Sequence, residues 1–358
     1  MTSLHKVAET ALCDILKLDD DYIEMLMIAS PGSSGNRVFI YKDSRTNMIY
    51  AVKCAIPTSR VSIFEEQKNK EFLTQYIGNH IPKTVWHGMF GDQQIMITEA
   101  SGVDTLHNAL LHNNISSDLL TAKWKNVLET VYDLWQKSNS NPFVVTLSPR
   151  NYTSRVDRIS NGIEKFFKEK FSIPNAMDLK IKINGEFYPS FADSINKLKD
   201  YHLPQFGVTC HGDPQPSNIV IGKNETDKAD WYFVDWEWAG DNHDWRMMVS
   251  HFWGWWFTRL IVLKKKPTMV VSKEQIEIEY DSYLPEHFEE YLGEIRNLFF
   301  KMTEIQHETE DIKQVNKFLT KLYLGEIRFI NNWGRNVFAP YLLGQGILTI
   351  NNKGFKFS

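Results

Sequence analysis

His211-Gly212-Asp213-Pro214-Gln215-Pro216-Ser217-Asn218 runs directly into a short apolar segment at residues 218–221. An Asp and an Asn five residues apart, placed just ahead of a strand, can serve one site. The carboxylate accepts the proton of an attacking hydroxyl, and the amide oxygen ligates a metal ion on a phosphate chain. Pro214 and Pro216 fix φ between them, so the two side chains are set before any ligand arrives. A loop of this composition can also do no more than bond its own backbone, because Asp and Asn favour such turns. What lies downstream favours the first reading. Residues 231–234 form a second apolar run, and the polar stretch 223–230 reads as the turn of a hairpin. The hairpin returns Asp235 beside Asn218, where a second hard oxygen ligand could face the same phosphates. Elsewhere an Asp at a strand end is often a plain turn cap.

Working outward, residues 38–41, 49–56 and 94–98 are rich enough in β-branched and aromatic side chains to read as strands. Between the last two, Ser62 and Glu65 have the spacing of a capping box, Phe72, Leu73, Tyr76 and Ile77 supply an apolar stripe, and Pro82 ends the helix. From Gly102 onward the pattern turns helical, most clearly over 119–137 and 286–305, with an acid-rich break at 308–311 before another helix. Asp244-Trp245-Arg246 reads as a helix start, with Trp245, Met248, Val249, Phe252 and Trp256 on one face. Residues 145–205 read as a helical insertion, and no internal repeat is present. The expected organisation is a smaller sheet-rich lobe, 1–100, and a larger helical lobe, 101–358.

Composition narrows the function classes. The chain has 358 residues, with 42% hydrophobic and 23% charged, enough to build the cores of about two domains and too apolar for intrinsic disorder. Lys plus Arg at 40 against Asp plus Glu at 44 gives a formal charge of −4, which provides no basic footprint for nucleic acid. Cys13, Cys54 and Cys210 are odd in number and far apart, so they write neither a disulfide framework nor a paired zinc site and predict a reducing cytoplasm. Lys6, Glu9 and Asp14 precede any long apolar run, unlike a signal peptide, and the greasiest stretch, 251–263, falls short of the roughly 20 residues a bilayer span needs. No membrane association is expected, and Lys264, Lys265 and Lys266 read as a solvated loop.

In combination, His211-Gly212-Asp213 with Asn218, then Asp235, resemble the catalytic loop and metal-binding Asp of the aminoglycoside phosphotransferase and choline kinase family. That resemblance implies an α+β, two-lobed protein-kinase-like fold: a small N-terminal antiparallel sheet lobe with one helix, which binds nucleotide, and a larger, mostly helical C-terminal lobe. Ala51-Val52-Lys53 looks like the strand-borne lysine that holds the nucleotide's phosphates, and Glu71 like the helix acid that pairs with it, with Glu65 and Glu66 as rivals. ATP and Mg²⁺ are the implied cofactors, with Asn218 and Asp235 as metal ligands and Asp213 as the catalytic base. The loop Ser30-Pro31-Gly32-Ser33-Ser34-Gly35-Asn36 is small enough for backbone N–H groups, at Ser33, Ser34 and Gly35, to approach phosphate. Adenine would sit between Val38 and Ala51 above and Ile219 and Val234 below, its edge bonded to the backbone near Glu99 and Ala100.

Departures from protein kinases carry information about the acceptor. Gly212 stands where those enzymes have an Arg, Trp236-Glu237 follows Asp235 in place of Phe-Gly, and no Ala-Pro-Glu follows. A small-molecule hydroxyl is therefore the expected acceptor. Glu237, Trp238 and Asp241, with Trp236, would line its pocket and suit a cationic amine. Trp253, Trp255 and Trp256 could add to that lining or belong to the core, and His243 and His251 read as structural. Aminoglycosides, choline- or ethanolamine-like amino alcohols and sugars all remain open, as do ATP against GTP and the oligomeric state. The alternative is a pseudokinase that binds nucleotide without catalysis. Retention of Lys53, Asp213, Asn218 and Asp235 together argues against it.

Overall fold

The computed structural model describes residues 4–29, 36–56, 62–100, 102–112, 116–138, 141–147, 152–222, 224, 227–259, 262–283, 288–329, 336–353 and 355. Ser33, Ser34 and Gly35 of the expected phosphate loop lie outside these residues. Two compact units emerge, one of residues 1–137 with 209–240, the other of 138–208 with 241–358. They divide the chain differently from a boundary at residue 100, because residues 101–137 and the 209–240 segment with its hairpin cluster with the N-terminal sheet.

In the first unit, helix α1 (Leu4–Leu16) precedes strands β1 (Ile23–Ile28), β2 (Arg37–Asp43) and β3 (Ile49–Cys54). Helix α2 (Ile63–Ile77), strands β4 (Thr84–Phe90) and β5 (Gln93–Glu99), and helices α3 (Leu106–His112) and α4 (Ser117–Ser138) follow. The five strands make one antiparallel sheet in the order β1-β2-β3-β5-β4. The expected strands are present, and the capping box forms as read: Ser62 Oγ accepts from Glu65 N–H, and Glu65 Oε2 from Ser62 N–H, each at 3.1 Å.

Register sorts the sheet's side chains onto two faces, since directly paired residues share a face. Val38 pairs with Lys53, Ile40 with Ala51, Lys53 with Met96 and Ala51 with Thr98, so these six stand together. On the opposite face Phe39, Tyr41, Val52, Cys54, Ile95 and Ile97 pack with Ala8, Ala11 and Leu12 of α1 into the core. Helix α1 was not expected, although Leu4, Ala8, Ala11, Leu12 and Ile15 recur at helical spacing and carry the signal. Residues 219–221 and 231–233 form the expected antiparallel hairpin, Ile219 opposite Phe233 and Ile221 opposite Trp231.

The second unit contains long helices, Tyr152–Phe171, Trp245–Arg259, Glu289–Met302 and Glu308–Gly325, followed by Ala339–Leu348. The acids at 308–311 are not a break but the first turn of a helix, where carboxylates complement the N-terminal dipole. The 145–205 insertion is only partly helical: Lys180–Ile183 and Glu186–Tyr188 join a four-stranded sheet with Val262–Val271 and Gln275–Tyr283. Ile276 and Ile278 pair with Ile181 and Ile183, and all four are buried, while Glu277 and Glu279 alternate between them. Lys264, Lys265 and Lys266 therefore stand on a strand, not in a loop. That strand is an edge of the sheet, where lysine and Pro267 hinder pairing with another chain. In helix Trp245–Arg259 the tryptophans are core, not pocket: Trp256 packs on Phe288 and Tyr291, Trp253 on Phe355 and Trp255 on Trp256. His243 and His251 are buried. Among the described residues no helix is long and apolar enough to cross a membrane.

Candidate active site

Lys53 lies in the buried half of β3 and projects from the sheet face it shares with Val38 and Met96. Its ammonium lies 2.6 Å from Glu66 on α2, 2.8 Å from Asp235 after the hairpin and 3.6 Å from Glu237. Three stretches remote in sequence thus meet on one cation. Burial works against the Lys53 charge, but Asp235, Glu66 and Glu237 outweigh it and hold its pKa well above the usual lysine value. Burial likewise pushes the Glu66 carboxyl upward, against the opposing pull of Lys53. Three carboxylates against one ammonium leave the cluster formally negative, although Lys53 and Glu66 are nearly closed off from solvent.

The acid that meets Lys53 is Glu66, not Glu71. Five residues separate the two, which on a helix of 3.6 residues per turn turns Glu71 roughly 140° away. Glu71 instead accepts from Gln67 Nε2 at 2.8 Å, and Glu65 closes the capping box. Glu66 does a second job, accepting the backbone N–H of Trp236 at 3.3 Å, and Asn69 donates to Trp236 O at 3.3 Å. One face of α2 therefore holds both the lysine of β3 and the segment that carries Asp235.

The segment 211–218 is braced by its neighbours. His211 is buried and stacks on Phe233, its ring centroid 4.9 Å away, while Nε2 lies 2.9 Å from Val234 O. A carbonyl only accepts, so Nε2 carries the proton. Gly212 has φ +77°, and a Cβ there would stand 2.0 Å from Trp238 O. No side chain, the protein-kinase Arg included, fits at 212 without moving the chain. Asn218 donates through Nδ2 to the Asp213 carbonyl at 2.9 Å, which leaves its Oδ1 as the atom to ligate a cation. Gln215 Nε2 donates to Asp213 Oδ2 at 3.2 Å and orients that carboxylate. Val234 N–H bonds Asn218 O at 2.9 Å, and the next residue, Asp235, takes the left-handed φ of +68°. Backbone held there costs on the order of 1–3 kcal/mol and is characteristic of functional sites.

The donor set suits a hard divalent cation. Glu66, Asp235 and Glu237 offer carboxylate oxygens all within 4.8 Å of one another, and oxygen donors are what Mg²⁺ takes. Glu237 was expected in the acceptor pocket; it lies buried beside Lys53 instead. Trp238 is half-buried in the first unit, and Asp241 is exposed and belongs to the second. Of the adenine candidates, Val38, Ala51 and Val234 are half-buried, but Ile219 has no exposed surface, so a base could not stack on it unless the hairpin moved. The N–H groups of Glu99 and Ala100 already donate to Lys83 O and Ile49 O, at 2.9 and 2.8 Å, so any hinge contact made there uses carbonyl oxygens.

Sequence comparison finds no matching protein-family profile and no matching curated protein. Among solved structures, the chain is similar to a protein assigned as a fructosamine-3-kinase from Haemophilus somnus, with 12% identity, 96% of this chain and 97% of that one covered, and a TM-score of 0.52. It is also similar to an ethanolamine kinase from Plasmodium vivax, at 14% identity over 95% of this chain and 85% of that one, with a TM-score of 0.49. An aminoglycoside-3'-phosphotransferase of type VIII gives 12% identity, 88% and 99% coverage and a TM-score of 0.49. The first likeness spans nearly the whole of both chains and shows the fold: this is a two-lobed α+β chain of the protein-kinase-like type. The resemblance read from residues 51–53, 211–218 and 235 holds at the level of fold.

Proposed function

We propose that this protein is an ATP- and Mg²⁺-dependent phosphotransferase that moves the γ-phosphoryl group onto a hydroxyl of a small molecule. The observation that carries the reading is the meeting of Lys53 with Glu66, Asp235 and Glu237, the last two just beyond a hairpin whose other strand begins at Ile219, next to Asn218. Phosphoryl transfer asks a protein mainly for positioning and charge neutralisation, which such a cluster supplies. Asn218 Oδ1, Asp235 and Glu237 would hold Mg²⁺, whose positive charge would offset that of the nucleotide's phosphates. Lys53 steadies the phosphates and Glu66 orients Lys53. Asp213, aligned by Gln215, accepts the proton of the acceptor hydroxyl as the new P–O bond forms.

The acceptor is a small alcohol: an aminoglycoside, a choline- or ethanolamine-like amino alcohol, or a sugar. With Glu237 taken by the phosphate side, Trp238 remains an acceptor-side candidate in the first unit, and its aromatic ring favours an amine-bearing substrate. Thiols rather than disulfides at Cys13, Cys54 and Cys210 support a reducing, cytoplasmic setting.

Two measurements test this reading. ATP with Mg²⁺ should raise the melting temperature, since a ligand at about 100 times its dissociation constant stabilises by about 2.7 kcal/mol. An ADP-release screen over amino alcohols, aminoglycosides and sugars should then find turnover. Stabilisation without turnover on any acceptor would favour the pseudokinase, and no stabilisation at all would remove the nucleotide site. The choice of acid is tested separately by isothermal titration with ADP and Mg²⁺. Glu66→Gln should weaken binding by about 5- to 150-fold, the usual range for a coupling of 1–3 kcal/mol. Glu71→Gln should bind close to wild type, and a larger loss at 71 than at 66 would reverse the assignment.

A further inference from the structure

One turn beyond Glu66, on the same face of α2, Lys70 is only 3% exposed. No carboxylate among the described residues lies within ion-pair distance of it. Its ammonium donates instead to Thr84 Oγ1 on β4 at 2.6 Å. Thr84 passes its single hydroxyl proton to Gln67 Oε1 at 2.8 Å, so toward Lys70 it can only accept. Gln67 then donates to Glu71 Oε1 at 2.8 Å. The result is a directional chain, Lys70 to Thr84 to Gln67 to Glu71, that joins α2 to the sheet with polar contacts where apolar packing would serve.

We propose that Lys70 is a positioning residue for the phosphate-binding pair: it ties α2 to β4 through Thr84 and, as a buried charge one turn beyond Glu66, keeps that carboxylate directed at Lys53. Stability alone does not ask for a lysine here. A buried ammonium without an ion-pair partner is costly, and an apolar residue of similar length would fill the same space without that cost. Glu66 is where the charge acts. That carboxylate must face Lys53 and the Trp236 N–H while burial disfavours its ionised form, and the attraction between Lys70 and Glu66 on one helix favours both charged forms.

The charge is also titratable in a useful range. Burial lowers the Lys70 pKa to about 8, more than Glu66 and Glu71 raise it. Other charged or titratable groups on elements packed against α2 are engaged elsewhere. Lys83 pairs with Glu99 at 2.9 Å, His87 meets Phe64 edge-on, and His80 stacks on Trp231, where burial keeps its pKa below the usual value. ADP is anionic, so its binding raises the Lys70 pKa. The affinity this contributes is complete below the free value near 8 and is lost as pH rises through the bound value.

This inference rests on Lys53 being the phosphate-binding group, and the test separates the two. ADP with Mg²⁺ is titrated calorimetrically into the full-length protein from about one pH unit below to one above the Lys70 midpoint of about 8. Wild-type affinity should fall across that window. Lys70→Met should be weaker at the low end by about fivefold or more, flat with pH, and no less thermally stable than wild type. Thr84→Val should share the loss of affinity, and Thr84→Ser should restore it. Wild-type binding with an identical affinity and pH profile in Lys70→Met overturns the proposal. So does a Lys70→Met loss that merely follows lost stability while Thr84→Val binds as wild type. A wild-type protein that binds no ADP at any pH overturns the nucleotide reading itself, and this inference with it.

Discussion

Asp213→Asn should bind ADP and Mg²⁺ as wild type does while its rate of phosphoryl transfer falls by about 10²–10⁴-fold, the usual worth of a positioned general base. Asparagine keeps the shape of the side chain and still offers an oxygen to Gln215 Nε2. The contact from Asn218 is to the backbone carbonyl of residue 213, so the substitution leaves Asn218 aimed as before. What disappears is the capacity to take the acceptor's proton. The check pairs calorimetric binding with a coupled ADP-release assay on the acceptor found by screening. Turnover near the wild-type rate would end the assignment of Asp213 as base, and lost binding with lost turnover would mean that the loop had collapsed.

Lys53→Met should cost both nucleotide binding and stability, the latter by about 3–5 kcal/mol, as when one partner of a buried pair is removed. Methionine leaves Glu66, Asp235 and Glu237 within 4.8 Å of one another with no cation between them. Burial already raises the Glu66 pKa, and the ammonium that opposes this is gone. A carboxyl whose folded pKa lies above its unfolded value penalises folding once pH exceeds the unfolded value, and the penalty grows until pH passes the folded one. The deficit against wild type should thus be smallest in mildly acidic solution and largest at and above neutrality. Urea denaturation at both ends of that range decides it. An equal deficit at each pH would point to lost packing rather than to carboxylate repulsion.

Much of this site was legible because its signals are local. The Asp213-to-Asn218 spacing, the two apolar runs around a polar turn, and the Ser62–Glu65 box each occupy fewer than about twenty residues, and each formed as the local chemistry dictates. What escaped did so for identifiable reasons. Helix α1 carries a clear apolar stripe, but its role appears only when that stripe meets Phe39 and Val52 on the back of the sheet. The strand at 275–283 alternates with period two, yet the lysine run on its partner at 262–271 reads like a loop until the two are seen paired. Acids at 308–311 looked like a break because charge density marks helix starts and loops alike.

The sequence by itself determined which groups are available, a lysine on a strand, a carboxylate and an amide on a stiffened loop, and an acid at a hairpin end, since each follows from residue type and short-range geometry. Only the tertiary structure decided that Glu66 rather than Glu71 meets Lys53, and that Glu237 joins the same cluster. The physical reason is that an ion pair depends on separations of a few ångströms between elements far apart in sequence. Those separations are set by how α2 turns as it docks on the sheet and by where the chain leaves the hairpin, and neither is encoded in the spacing of the acids along the chain.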